Sequence, residues 1–495
     1  MKGMHPTLGF AVLFMLLGLG CVSAIGNDFG RCENIVKKWA FASLEEEVRD
    51  DKHTLQDLLF FLHVPRTGGR TYFHCFLRKL YSNSQECPRS YDKLRFDPSK
   101  KKCRLLVTHD DYSMMSKLPR ENTSVVTILR NPVDRIFSTY EFSVEVAARF
   151  LVHPNLTSAT QMSKRLHLRN GVSTLDIWPW KYLVPWMRED LFDRRDAMKL
   201  IGSNHVKSKI PYNMEEIVMP LHEYINDPIA HDVIHNGATF QVAGLTNNSY
   251  SMESHEVRHC VQKYKILGEH VLQVAKRRLD EMLYVGLTED HRESATMFAN
   301  VVGAQVIAQA LALNSSMEGV ADNKSEHSTS IADSESENDD HQGSAPDLKA
   351  SRIASTENLD VKQENMTVKK LMHAYEECIS TLRKTQTRRR TVSLKRIAPA
   401  NFSKEDRKHV PEAILKQIRM LNHLDLELYK YAQEIFSKQN KHMQQNQADA
   451  EGLEVLNNLS GLMVGRSISM VMCIVFLLVL VLFVNARRRT SKVKV

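Results

Sequence analysis

Leu58-Leu59-Phe60-Phe61-Leu62-His63-Val64-Pro65-Arg66-Thr67-Gly68-Gly69-Arg70-Thr71 decides the fold class. Its first seven residues are apolar apart from His63, the pattern of a strand covered on both faces. Pro65 and the Gly68-Gly69 pair break the run. Phe73, Phe76, Leu77 and Leu80 then recur at helical spacing and share one face. Downstream, Leu105-Leu106-Val107 and Val125-Val126-Thr127-Ile128-Leu129 read as two more buried strands. Asn131-Pro132 opens a helix after the second of these, because proline suits the first helical turn. Strand, loop and helix in alternation predict an α/β fold with a central parallel sheet flanked by helices.

The loop that breaks the first strand is built for an anion. Between a buried strand and a helix, paired glycines let the backbone wrap closely round a ligand, and the N–H groups of the helix start point at it. Thr67 and Thr71 add hydroxyls, while Arg66 and Arg70 add guanidinium groups that can each grip two oxygens. The spacing departs from GxxxxGK[ST], and no acidic strand for magnesium is evident, so an ordinary nucleoside triphosphatase is disfavoured. A second anion signal is Leu129-Arg130-Asn131-Pro132-Val133-Asp134-Arg135-Ile136-Phe137-Ser138. There Arg130 ends a strand and Ser138 lies about two turns into the next helix, so both can face one ligand across the carboxyl edge of the sheet.

Composition bounds the class. The chain has 495 residues, 43% hydrophobic and 25% charged, with 66 basic and 58 acidic side chains and a net charge of +8. These are ordinary globular values, which exclude a collagen, a wholly disordered chain and a polytopic membrane protein. Lys2, the apolar stretch Leu8–Leu19 and the small residues Val22-Ser23-Ala24 read as a cleaved secretory signal. Ile468–Val484 is almost wholly apolar and is followed by Arg487, Arg488, Arg489, Lys492 and Lys494. By the positive-inside rule that tail is cytosolic, which predicts a single-pass type I protein with a lumenal body.

Eight cysteines fall to six once Cys21 in the signal and Cys473 in the span are set aside. Of these, Cys87 and Cys103 flank a polar, basic loop and are the expected pair. No cysteine or histidine spacing suggests zinc, and no metal is required. Eight Asn-X-Ser/Thr sequons occur, at Asn122, Asn155, Asn247, Asn314, Asn323, Asn365, Asn401 and Asn458.

The chain divides into a signal peptide, 1–24, and a lumenal domain whose first part is 25–313. A disordered insertion, 314–398, is acidic at first and basic later. A helical part of the domain, 399–438, is followed by a stalk, 439–466, a membrane helix, 467–485, and a basic tail, 486–495. Ser315–Asp347 holds nine acidic residues, one lysine and no aromatic residue, too little apolar surface to order itself. Arg383–Arg396 holds seven basic residues and no acidic one, and reads as a solvated linker; a surface that steers acidic peptides is the alternative. His270–Leu283 and Ala413–Phe436 carry helical stripes. Trp178, Trp180 and Trp186 read as structural rather than as a sugar-stacking platform.

The two anion motifs together resemble the fingerprint of Golgi sulfotransferases. That resemblance implies 3′-phosphoadenosine 5′-phosphosulfate as donor, with Arg66, Thr67, Gly68, Gly69, Arg70 and Thr71 on the 5′-phosphosulfate and Arg130 and Ser138 on the 3′-phosphate. Three further stretches are similar to heparan sulfate 6-O-sulfotransferases: Val107-Thr108-His109-Asp110-Asp111-Tyr112, Tyr284-Val285-Gly286-Leu287-Thr288-Glu289, and Leu421-Asn422-His423-Leu424-Asp425-Leu426-Glu427-Leu428-Tyr429. Such a domain with a C-terminal anchor resembles the plant tyrosylprotein sulfotransferases. The implied activity is sulfation of tyrosine beside acidic residues in secreted peptide precursors, at the Golgi membrane, with no nucleic-acid partner. A glycan sulfotransferase and a catalytically dead receptor on the same fold are the competing readings.

A phenol with a pKa of about 10 needs a base, and the resemblance puts His109 in that role. His63 and Glu141 are the fallback bases. The resembling loop has lysine where this chain has Arg66, and threonine where it has Arg70. Arginine does not give up its proton, so Arg66 is expected to act as an electrostatic clamp on the leaving phosphate.

Overall fold

The computed structural model describes residues 28–45, 51–87, 103–152, 212–213, 220–227, 230–247, 249–318, 366–394, 397–398 and 407–491. The signal, the three tryptophans and nearly all of the acidic stretch lie outside the described residues.

A first helix, α1, covers 28–44. The opening apolar run forms β1, Leu58–Leu62, with every residue buried. The loop after it leads into α2, which starts as Gly69–Tyr72, passes through a π-helical turn, Phe73–Leu77, and ends as Arg78–Leu80. Phe73, Phe76, Leu77 and Leu80 are all buried, as their spacing predicts. Then follow β2, Leu105–Thr108, β3, Thr123–Leu129, and α3, Pro132–Val152. The middle of the chain supplies α4, Gly237–Val242, α5, Ser254–Lys263, and α6, Gly268–Asp280. The predicted stripe Val271, Leu272, Ala275, Leu279 and Met282 is buried along and just past α6. A fourth strand, β4, Tyr284–Leu287, comes next. It leads into α7, composed of His291–Phe298, a π-helical turn Ala299–Gly303, and Ala304–Glu318.

The sheet order is β2-β1-β3-β4, and every pairing is parallel. Leu62 is level with Thr108 on one side and Thr127 on the other, and Leu129 is level with Leu287. The residues that follow these ends, His63, His109, Arg130 and Thr288, therefore emerge on one edge. The chain leaves β1 toward β2 and then returns to place β3 on the other side of β1. That reversal is the switch point at which open α/β sheets open a crevice.

The insertion reading needs correcting. Val368–Leu394 is helical, here α8, and not part of a disordered segment. Leu371, Tyr375 and Ile379 are buried at a four-residue spacing, Tyr375 stacks on Phe76 with ring centroids 3.9 Å apart, and Cys378 is bonded to Cys75. Charge density hid that stripe. As far as Leu394 the run Arg383–Arg396 is helix and not linker, while Arg383, Lys384 and Arg388 are solvated as expected. The predicted helix Ala413–Phe436 is two helices, α9, Glu412–Leu421, and α10, His423–Ser491, broken at Asn422.

The described residues divide into two units, one ending at Gln433 and the other beginning at Glu434. The second unit is the remainder of α10, where Ile474–Val484 is an apolar, exposed stretch. That stretch is shorter than a membrane span; among the described residues His291–Ala312 is long and apolar enough to cross a membrane, but Ala295, Met297, Phe298, Ala299 and Val302 are buried in the first unit. It is a layer helix of the sheet.

Three disulfides join Cys32 to Cys260, Cys75 to Cys378 and Cys87 to Cys103. The expected Cys87–Cys103 bridge is thus present.

Arg135 on α3 forms an ion pair of 2.8 Å with Asp425 on α10, and both side chains are 1% exposed. Asp425 also accepts from the Thr239 backbone N–H and hydroxyl, each at 2.7 Å. Removing one partner leaves a buried charge alone, which costs about 3–5 kcal/mol. Asp425→Ala is therefore expected to destabilise the first unit by about that amount in urea unfolding, and the paired change Arg135→Met/Asp425→Leu by clearly less.

Candidate active site

The loop between β1 and α2 turns through left-handed backbone at Arg66, φ 67°, and Gly68, φ 85°. That conformation costs a non-glycine residue roughly 1–2 kcal/mol, so Arg66 must be held in it. The Thr67 hydroxyl donates to the Val64 carbonyl at 2.8 Å, and the Thr71 N–H to the Gly68 carbonyl at 2.9 Å. Thr288, just past β4, donates its hydroxyl to the Thr67 carbonyl at 2.7 Å and the Leu129 carbonyl at 3.0 Å. Arg130 donates to the Arg66 carbonyl at 3.2 Å. The second motif thus props up the turn of the first.

Gly69 meets a different constraint. A Cβ there would lie 2.2 Å from Cδ2 of His63, inside its ring. The helix start and the His63 imidazole approach too closely for any other residue.

The Arg66 side chain crosses to α3. Its Nε and Nη2 donate to the Ser138 hydroxyl at 3.1 and 3.0 Å, and its guanidinium lies 4.4 Å from the centroid of the Phe142 ring. Arg66 and Ser138, expected on different phosphates of one donor, are in direct contact. Arg130 is mostly buried, and its Nε lies 3.9 Å from Glu289. Burial draws its pKa below the ordinary value, while Asp134 and Glu289 oppose that drop. Glu289 in turn accepts from the Asn131 N–H at 3.0 Å and the Tyr429 hydroxyl at 2.8 Å. Arg70 is exposed and Thr71 half-buried on the first turn of α2.

His109 is 8% exposed, with its Nδ1 3.0 Å from the His63 carbonyl. A carbonyl can only accept, so Nδ1 carries the proton and Nε2 is the basic nitrogen of the neutral ring. His63 packs on it with ring centroids 4.2 Å apart. Burial, reinforced by His109, Arg66 and Arg70, drives the His63 pKa well below the histidine range. His63 is a neutral wall of the site and a poor acceptor for a proton. Glu141, the other fallback base, is held by Arg407 at 2.6 Å.

Sequence reasoning missed Gln241. This buried amide donates to the carbonyls of His63 and His109, each at 3.1 Å, and of Asp110 at 3.2 Å. It clasps the ends of β1 and β2 and sets where His109 sits. Thr288 and Glu289 lay in a stretch noted for resemblance, but without a role. Asp110 and Asp111 are fully buried. Asp111 caps the turn after β2 by accepting from Ser113 and from the N–H and hydroxyl of Thr246, which opposes the rise in its pKa caused by burial.

A phosphate-type cradle and a strand-end arginine–serine pair on one edge of a parallel sheet, with a tautomer-fixed histidine beside them, define a sulfotransferase. A profile of the sulfotransferase domain family matches residues 33–188. The chain is 56% identical over 502 aligned positions to a protein-tyrosine sulfotransferase of Arabidopsis thaliana, covering 99% of this chain and 98% of that protein. The chain belongs to the protein-tyrosine sulfotransferase family.

Gly69→Ala should displace His63 and lose about 1–3 kcal/mol, with weakened binding of adenosine 3′,5′-bisphosphate by calorimetry. A second prediction concerns acid. Unfolded His63 titrates near pH 6.5, whereas folded His63 stays neutral below that. The unfolded chain then binds the extra proton, so stability falls as pH drops through about 6.5. His63→Asn should flatten part of that slope in the melting temperature; His235, drawn down to about 4 by burial, and His291, also lowered by burial, keep a further part.

Proposed function

We propose that this chain transfers a sulfuryl group from 3′-phosphoadenosine 5′-phosphosulfate to tyrosine hydroxyls of secreted peptides and proteins, beside acidic residues. The observation that carries the reading is the meeting of Arg66, Arg130 and Ser138 at the switch point where His109 presents Nε2. The donor set fits a nucleotide with phosphates at both ends: three arginines, hydroxyls, and the N–H groups that open α2.

The donor supplies a sulfuryl group bonded to a phosphate leaving group. His109 Nε2 takes the proton of the tyrosine hydroxyl as the phenol oxygen forms its bond to sulfur. The electron pair of the broken bond stays with the phosphate oxygen, where Arg66 stabilises the charge as it develops. Arg66 keeps its proton throughout, so the leaving phosphate departs as an anion. Arg130 and Ser138 hold the 3′-phosphate, and Arg66, placed against Ser138, belongs to both ends of the clamp.

The same proposal puts the reaction in the Golgi lumen, on a single-pass type I protein. Three disulfides suit an oxidising compartment, and the exposed apolar run Ile474–Val484 with arginines at 487–489 suits an anchor with a cytosolic tail.

Incubation of the full chain with sulfur-labelled donor, an Asp-Tyr peptide and a desulfated glycosaminoglycan tests this. Label is expected on the peptide and to vanish when its Tyr becomes Phe. His109→Ala should lower kcat by about 10²–10⁴-fold while binding of adenosine 3′,5′-bisphosphate is retained. Label on the glycan alone would overturn the acceptor, and a fully active His109→Ala would overturn the base.

A further inference from the structure

The basic face of α8 belongs to no part of the donor clamp. It lines a groove of about 620 Å³ between α8 and the start of α7. His291, Arg292, Arg383 and Lys384 line the groove together with Tyr375 and Glu376. Three permanent cations thus face one carboxylate. Among the described residues Arg292, Arg383 and Lys384 make no ion pair, and all three are exposed. Burial, with Arg383 adding to the effect, holds His291 below its ordinary pKa. The floor is apolar, formed by Tyr375 and its neighbours on α7 and α8.

The groove is ordered before any ligand arrives. Cys378 is bonded to Cys75, and Tyr375 stacks on Phe76, so α8 is fixed to α2. It packs also against α7 and α3. Each of these three helices starts at the edge that carries the cradle. α2 begins at Gly69, α3 begins two residues after Arg130, and α7 begins three residues after Thr288, which bonds the Thr67 carbonyl.

We propose that this groove binds the acidic residues flanking the tyrosine of a peptide substrate, through Arg292, Arg383 and Lys384. The inference rests on the function proposed above. Unneutralised cations over an apolar floor match a peptide whose carboxylates alternate with carbon-rich side chains, and charge of this kind acts on selectivity and encounter more than on chemistry. The groove is then a specificity surface, separate from the residues that hold the donor.

The test compares the full chain with the double variant Arg383→Glu/Lys384→Glu and with Arg292→Glu, all surface changes. Two peptides are used, one with Asp around its Tyr and one with Asn in those places. The expected result is a rise of about tenfold in KM for the acidic peptide, with kcat and the KM for the Asn peptide unchanged. Adenosine 3′,5′-bisphosphate should bind as before, and Arg383→Lys should keep the preference. Unchanged KM for the acidic peptide in both variants overturns the proposal while leaving tyrosine sulfation intact. If the wild-type chain sulfates neither peptide, the function reading fails, and fluorescence anisotropy of the acidic peptide still decides the groove. Weaker binding by the variants supports it, and equal binding overturns it. Displacement of the peptide by a copy of residues 331–347 more readily than by the unlabelled peptide itself assigns the groove to the chain's own acidic stretch and overturns it too.

Discussion

The ion pair between Arg135 and Asp425 joins parts of the chain 290 residues apart, and the site hangs from it. A buried pair of this kind gains little net stability, because desolvation of two charges offsets their attraction. What it does is specify. Asp425 takes Arg135 and the N–H and hydroxyl of Thr239 at once, which ties α3, α4 and α10 to one arrangement here. Asn236 and Asn422 repeat the lesson nearby, each accepting a backbone N–H from the other's segment. Two residues past Thr239, Gln241 holds the carbonyls of His63 and His109. The position of the basic nitrogen thus depends on a contact made by the first turn of α10.

Steric exclusion sets the donor side in the same way. His63 presses on Gly69, and the turn before it is held left-handed by Arg130 and Thr288. These supports come from three different strands. The cradle is therefore a property of the sheet edge and not of the loop alone.

Three of the four strands of the main parallel sheet were legible, since β1, β2 and β3 are apolar runs bounded by breakers. β4 was not: its four residues include Gly286 and carry no periodicity, and their burial comes from β3 and α7 on either side. The shared sheet edge of the β1–α2 loop, Arg130 and His109 could be anticipated because each lies just past the end of an apolar run. Gln241 could not, because its role is to bond three carbonyls at least 131 residues away in sequence. Arg66 was assigned to one phosphate, yet its side chain turns to Ser138, a direction set by left-handed backbone that no residue type announces. α8 was misjudged for a plainer reason. Its arginines and lysines outweigh Leu371, Tyr375 and Ile379 in any average, although those three alone suffice to bury a face.

The disulfide from Cys75 to Cys378 gives that misjudged helix its meaning. Composition treats the segment between α7 and α8 as one piece, acidic and then basic. The fold cuts it, returning the basic part to the body and stacking it on the helix that opens at the cradle. The disulfide and the buried face of Leu371, Tyr375 and Ile379 together fix this charged surface to the body. Charge that a folding chain would otherwise disperse is concentrated along one groove, between α8 and the start of α7.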